Sequence, residues 1–453
     1  MPTLLTICLA IPACRDSSAT HPAQPVAVIV SGDTRGAIVP GGCGCGPNQS
    51  GGLLRRGSYV EETRRSAEVV VADVGGAPAG TNEYQKAKFE AILQGEMTMG
   101  LAAHNLGGPE VEFGAEYLRS IGRKLRVPFV SANLVDAGGR PVAEPAIVVT
   151  AGGRRIMFIG VVSPRFAIEG LRINDPKQAV LQTLAANKAH DGVIVLAYLP
   201  EEELRVLAEG LPEVSAVIGG PTGQSITPRR VGPTLLTSAT NRGRFVAHVS
   251  VEGQGKGSTC EARIVEIKDP LPEEARQQEN LRQLQKVLAE RDFSAEQSGL
   301  VPVLPKGLPE EYRIAGAGAC RDCHVEVFQA WSESKHSRAW QTLVKLGQQI
   351  DPYCQQCHTE GYGQNGGFMS PAASPDRTSV GCEDCHGPSL GHCRDSTTTT
   401  TFQAADQCRR CHDFENSPNF EYEAYWAKMR HGKSPASGPA DAEGEPSRTE
   451  VTP

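Results

Sequence analysis

Aromatic residues are scarce in this chain: Phe, Trp and Tyr make up 5% of its 453 residues. A chain of that length implies two or more domains, each with a core to fill. So few large rings suggest that some other apolar body fills one of those cores. An excess of positive charge is lacking as well. Lys and Arg number 45 against 52 Asp and Glu, for a net charge of −7. A nucleic-acid binder would need a basic patch or stripe, so that class of partner is not expected. Long hydrophobic runs are also missing. The apolar stretch at residues 3–13 (TLLTICLAIPA) has no Lys or Arg before it and is too short to span a bilayer. The mature protein is therefore expected to be soluble or tethered.

Cysteine is present in quantity, and in one pattern. Of 14 cysteines, eight fall in four Cys-x-x-Cys-His motifs: Cys320/Cys323/His324, Cys354/Cys357/His358, Cys382/Cys385/His386 and Cys408/Cys411/His412. This is the attachment sequence for c-type haem. Two thioether bonds clamp the porphyrin edge, and the His that follows places an imidazole beneath the iron. A bare Cys-x-x-Cys also reads as redox or zinc chemistry, but here four lie within 93 residues and each is completed by His. Four c-type haems are expected, their macrocycles replacing much of the side-chain core of residues 313–434. Loss of haem should unfold this region, as loss of metal unfolds small metallo-domains. Three further histidines lie there: His336, His392 and His431. Four irons with three spare imidazoles give three bis-His haems and one that is open or otherwise capped.

The words around the motifs add to this. CRDCH is followed by WSESKHSRAW, then come CQQCHTEGYGQNGGF, VGCEDCHGPSLGH, and CRRCHDFENSPNF with YWAKMRHG. In order and wording they resemble the tetrahaem cytochrome c-554 family, carriers linked to hydroxylamine oxidation. The resemblance implies that His336, His392 and His431 are the distal ligands and that the haem on His358 is five-coordinate. Cys393, directly after His392, and the tract Thr397–Thr401 depart from the family. Bis-His iron is coordinatively saturated and suits electron transfer, whereas an open iron binds small ligands such as NO. Redox proteins are the partners expected.

Residues 26–268 have a different texture. Short β-branched runs (VAVIVSG, EVVVAD, VPFVSA, IMFIGVV, GVIVLAY, VSAVIGG, FVAHVSV) alternate with helical stretches at 84–95, 113–124 and 177–189, an α/β pattern. SGDTRG at 31–36, GGLLRR at 51–56, VADVGG at 71–76 and MGLAAHNLGGPEVEFGAEYL at 99–118 resemble the 5′-nucleotidase type of metallophosphoesterase, as do VIVLAYLP at 193–200 and VIGGPTG at 217–223. The fold implied is a sandwich of two mixed sheets with flanking helices, followed here by a mostly α-helical, loop-rich multihaem domain. Enzymes of that family hold two metal ions through Asp, His and Asn to activate a water. Matched to the family, Asp33 keeps the first Asp and Glu110 is retained. Arg35 stands for a His, Gly76 for the bridging Asp, Gly108 and Pro109 for the Asn-His pair, Tyr198 for the next His, and Pro221 and Gly223 for the last two. One carboxylate cannot hold two cations. No binuclear metal centre is expected, and the domain reads as a pseudo-phosphoesterase that serves for docking or spacing. His21, His104, His190 and His248 are scattered without ligand spacing and read as ordinary buried or surface residues.

Between the two domains, 269–312 reads as Pro-led helix and linker, the helix ending near Arg291; the tail 435–453 is low-complexity and expected to be disordered. Haem is attached to this motif outside the cytoplasm, so an export signal is expected within residues 1–25. There, Ile11-Pro12-Ala13-Cys14 followed by RDSSAT resembles a bacterial lipoprotein cleavage box. The resemblance implies a lipid on Cys14 and a periplasmic or cell-envelope protein tethered to the membrane. Cys43-Gly-Cys45, in the loop GGCGCGPNQSGG, suits a soft metal or a redox partner. Disulfides to Cys260 or Cys393 are the plainer use in an oxidising compartment. If Cys14 carries the lipid, Cys14→Ser moves the protein from the detergent phase to the soluble periplasmic fraction. An unchanged distribution in that variant refutes the anchor and leaves ordinary export.

Overall fold

The computed structural model describes residues 25–41, 50–253, 259–304, 306–398 and 404–431, apart from 415 and 418. Cys14, His21, Cys43, Cys45 and the tail 435–453 lie outside the described residues. In chain order the strands are β1 Val26–Ser31, β2 Glu68–Asp73, β3 Leu101–Asn105, β4 Phe129–Val130, β5 Leu134–Asp136, β6 Ala146–Ala151 and β7 Arg154–Val162. They continue with β8 Leu171–Ile173, β9 Gly192–Tyr198, β10 Ala216–Gly220, β11 Ile226–Val231, β12 Thr234–Ser238, β13 Phe245–Glu252 and β14 Thr259–Glu266.

Two six-stranded mixed sheets result, in the orders β14-β13-β1-β2-β3-β4 and β11-β12-β10-β9-β7-β6, with β5 and β8 as a separate pair. In the first, β1 to β4 pair in parallel while β13 and β14 run antiparallel. In the second, β12, β10, β9 and β7 are parallel between antiparallel edges. The sequence accounts for this. Parallel strands covered on both faces read as unbroken apolar runs, and all seven residues of β9 (GVIVLAY) are buried. The edge strand β11 (ITPRRV) carries Pro228, Arg229 and Arg230 instead, the residues that blunt an open edge. Alternation sorts the side chains. Ile156, Phe158, Ile194 and Leu196 enter the large core shared with the first sheet. Met157, Ile159, Val193 and Val195 face outward to a second core, beneath the helices Pro176–Ala186 and Glu201–Glu209.

The helix Glu83–Thr98 starts at Asn82, whose side chain accepts the Gln85 N–H, an N-cap. Along it lies the helix Ala275–Arg291, whose buried face holds Gln277, Asn280, Leu284 and Leu288. Gln277 and Asn280 donate to the carbonyls of Gly95 and Ala91 at 2.9 and 2.8 Å. A Cβ at Gly95 would lie within 2.9 Å of the ends of the Gln277, Asn280 and Leu53 side chains, which a larger residue would have to displace. The connection between the two regions is thus packed onto the first. It then meets the second: Ala295 N–H donates to the Met369 carbonyl, Ser370 to Asp292, and Ser298 hydrogen-bonds with Tyr362. Among the described residues of 313–431 the helices are short, none longer than the eight residues of Val325–Ser332, Ala339–Leu346 and Tyr422–Met429. The buried hydrophobic residues there are few: Ile314, Ala317, Leu343, Tyr362 and Phe368. Among the described residues, no helix is long and apolar enough to cross a membrane.

One part of the α/β interior is charged. Arg56, Asp73, Glu96, His104 and Glu110 are all at most 1% exposed. Arg56 donates to Ser31 and Thr34 at 2.9 and 3.1 Å and stands 3.6 Å from Glu96 and 4.0 Å from Asp73. The ring nitrogens of His104 lie 2.9 Å from Glu96 and 3.4 Å from Glu110. Burial works against a charged His104, but the Glu96 charge and the hydrogen bonds to Glu110 and Glu96 outweigh it, holding its pKa well above the usual value. Burial, and then the neighbouring Asp73 charge, push Glu96 up to about 7. Three carboxyls therefore share two cations. A carboxyl whose pKa is raised by folding stabilises the fold below its ordinary 4.5, and that contribution is lost as pH rises through about 7. Unfolding of the α/β region in urea should therefore become easier between those values. Glu96→Gln should flatten this dependence; a slope unchanged in that variant would assign it to another group.

Candidate functional site

Each Cys-x-x-Cys-His motif sits on or beside a single helical turn, which turns both sulfurs to one side. The first follows the turn Ala317–Cys320, and the second lies on the helix Pro352–His358. The third spans the helix Glu383–His386, and the fourth straddles the end of Ala404–Arg409. In three of them the His N–H donates to the carbonyl of the first Cys: His324 to Cys320, His386 to Cys382 and His412 to Cys408, at 2.8–3.0 Å. None of the eight cysteines is in a disulfide among the described residues. Cys320 lies beside Cys382, and Cys357 beside Cys411. The first motif is therefore next to the third, and the second next to the fourth.

The three additional histidines each come to face a motif histidine. His324 and His392 have ring centres 6.1 Å apart, His336 and His412 6.2 Å, and His386 and His431 5.9 Å. An iron bonded to two imidazoles at about 2 Å on either side separates the ring centres by about 6 Å. The residues present thus fit haem iron. No imidazole faces His358 among the described residues, and its Nδ1 bonds the Ala339 carbonyl at 2.8 Å. Nδ1 of His392 bonds the Thr398 carbonyl at 2.7 Å, and that of His412 the Ser417 hydroxyl at 3.0 Å. Such bonds fix a ring's orientation and leave Nε2 for a metal. Cys393 is exposed and Cys260 is buried on β14; neither is in a disulfide among the described residues.

The second set of residues lies at the strand ends of the α/β region. Asp33 accepts from Arg35 at 2.7 Å, from Tyr198 at 3.2 Å and from Thr240 at 3.0 Å. Burial and the Asp33 charge push the Tyr198 hydroxyl well up, so it stays a donor. A Cβ at Gly76 would lie 2.7 Å from the Tyr198 ring, and one at Gly108 would lie 2.5 Å from the Phe166 ring. Those rings, 5.4 Å apart, take the room that an Asp and an Asn side chain would need. Glu110 turns away to accept the N–H groups of Gly76 and Ala77 at 2.8–3.0 Å. With its carboxylate paired to a guanidinium and its flanks filled by rings, this site does not fit a pair of metal ions.

His104 is not the isolated histidine that its position in the sequence suggests. With Asp73 and Glu96 it forms a buried group whose ligand atoms lie within 4.8 Å of one another. The Arg56 guanidinium, 3.6 Å from Glu96 and 4.0 Å from Asp73, supplies positive charge beside this group. The sequence holds a signal for it: Glu96 follows Phe89 and Ile92 at helical spacing, which puts a carboxyl on an apolar face.

The two regions touch at the second motif. Asp351, which caps the helix Pro352–His358, accepts from the Tyr84 hydroxyl at 2.5 Å and stands 3.4 Å from the Lys88 ammonium. Lys88 and Arg242 lie 5.3 and 6.0 Å from the Tyr353 ring centre.

Residues 319–387 match the family model for cytochrome c554 and c-prime. Cytochrome c-554 of Nitrosomonas europaea is 32% identical over 98 residues, which is 18% of this chain and 42% of the length of that relative. A 5′-nucleotidase precursor from Thermus thermophilus superposes with a TM-score of 0.50 at 21% identity, covering 60% of each chain. A calcineurin-like phosphoesterase from Bacillus subtilis does so with 0.51 at 15% identity, over 60% of this chain and 99% of that one. Such low identities speak for the fold alone. The chain joins an N-terminal region with the fold of 5′-nucleotidases and calcineurin-like phosphoesterases to a C-terminal region related to cytochrome c-554, with that family's c-type haem motifs.

Proposed function

We propose that this protein is an exported four-haem cytochrome that carries electrons, its α/β region serving as a docking and spacing unit. The observation that supports it most is the set of three facing imidazole pairs. In this reading the haems are joined to Cys320 and Cys323, Cys354 and Cys357, Cys382 and Cys385, and Cys408 and Cys411. His324 pairs with His392, His386 with His431 and His412 with His336, while His358 holds its iron alone. When bound, each haem supplies a one-electron iron couple at a potential set by its ligands and surroundings. The rest falls to the chain. Cys320 lies beside Cys382 and Cys357 beside Cys411, which puts neighbouring sites side by side, and the bonds on Nδ1 hold the rings in place. A lipid on Cys14 would tether the protein in the cell envelope, where its partners would be redox proteins.

A second reading has the iron on His358 transform a small nitrogen compound such as hydroxylamine or NO, and the lack of a facing imidazole there favours it. Phosphate-ester hydrolysis is disfavoured by the pairing of Asp33 with Arg35. Mass spectrometry of the mature protein should show four covalent haem additions, and fewer would refute the count. Electron paramagnetic resonance of the oxidised protein should show low-spin iron with a high-spin minority. Four low-spin signals would mean that another residue caps the iron on His358. Given manganese or zinc, the full chain should not hydrolyse nucleotides or model phosphate esters. Metal-dependent turnover that disappears in Asp33→Ala would overturn the pseudo-enzyme reading.

A further inference from the structure

The α/β region meets the second motif through two neighbouring side chains of one helix. Tyr84 and Lys88, a turn apart on Glu83–Thr98, are both buried. Each takes one oxygen of Asp351: the Tyr84 hydroxyl donates to Oδ1 and the Lys88 ammonium faces Oδ2. Lys88 also donates to the Tyr84 hydroxyl at 3.2 Å. Asp351 in turn accepts the Tyr353 N–H at 3.0 Å and so anchors the first turn of the helix that carries Cys354, Cys357 and His358. The charges of Lys88 and Asp351 both reach the Cys354 sulfur, the first point of thioether attachment at this site.

We propose that Lys88, with Tyr84 and Asp351, sets the reduction potential of the haem joined to Cys354 and Cys357, so that the α/β region tunes one site of the cytochrome. The inference rests on that site carrying haem. Its physics is the balance of charge around a one-electron step. Fe(III) takes up one electron to become Fe(II), and the local charge falls by one. A nearby cation favours the reduced form and a nearby anion the oxidised form, most strongly where water is excluded. Lys88 offsets Asp351, so the pair is close to neutral. Remove the ammonium, and a buried carboxylate is left facing the site. Tyr84 adds a hydrogen bond without charge and holds the carboxylate in place. Lys88 and Tyr84 are positioning residues: they act through Asp351 and the helix it caps.

The test is a spectroelectrochemical titration of the full haem-loaded chain, after its haem content has been counted. Lys88→Gln should lower one of the four midpoint potentials by about a tenfold change in the one-electron equilibrium, about 59 mV, and leave the other three in place. Asp351→Asn, which keeps a residue able to cap the helix, should raise the same potential. The double variant should return it toward the wild-type value, and Lys88→Arg should retain that value. A purely structural role would alter unfolding without this reversal of sign. Four haems with no potential moved in Lys88→Gln, or with all four moved alike, would overturn the inference. A wild-type protein without haem on Cys354 and Cys357 would refute the four-haem reading itself, and that result precedes any variant.

Discussion

Two imidazoles can share one iron only when their rings stand about 6 Å apart, and residues 313–431 are arranged to provide that spacing three times. The paired rings come from distant parts of the chain: His336 meets His412, and His324 meets His392. Apolar side chains could not impose this closure, because few of them are buried here. A macrocycle held by two sulfurs and gripped on both faces would be the core that the short helices wrap. This explains why a region with little hydrophobic content has a defined fold, and why its stability should depend on its cofactor.

The α/β region meets the opposite requirement with its own side chains. Where its fold relatives would be expected to set metal charge against carboxylates, this chain sets guanidinium and imidazolium groups. Arg35 neutralises Asp33 at the surface, and Arg56 and His104 sit among Asp73, Glu96 and Glu110 inside. Burying such charges is costly unless they are paired, and here the pairing is covalently part of the chain. The scaffold therefore balances these charges with its own side chains.

Much of this was legible beforehand. The motifs are local and are read from sequence spacing alone, and the β-branched runs located the parallel strands. The run VPFVSA gave only the two residues of β4, because Ser131 and Ala132 bond to Glu144 and Gly160 and leave the ladder. Strands β6, β11, β12 and β14 were harder to see. The edge strands β11 and β14 carry charged residues, as in ITPRRV and TCEARIVE, which break the apolar runs. The charged interior was missed for another reason. Arg56, Asp73, Glu96 and His104 lie on four separate elements, and no local pattern reports a group assembled by the fold. The contact of Tyr84 and Lys88 with Asp351 is likewise a product of folding, joining residues more than half the chain apart.

The packed helix Ala275–Arg291 gives the molecule a property that its two-part composition conceals. A flexible tether would let each half tumble and search independently, with encounters governed by linker length. Here the linker is itself masonry, keyed into the Gly95 and Ala91 carbonyls by Gln277 and Asn280. Orientation is settled when the chain folds, so it costs nothing further when a partner arrives. Any protein that gripped the phosphoesterase-like half would thereby aim the other, as a bracket does and a leash does not.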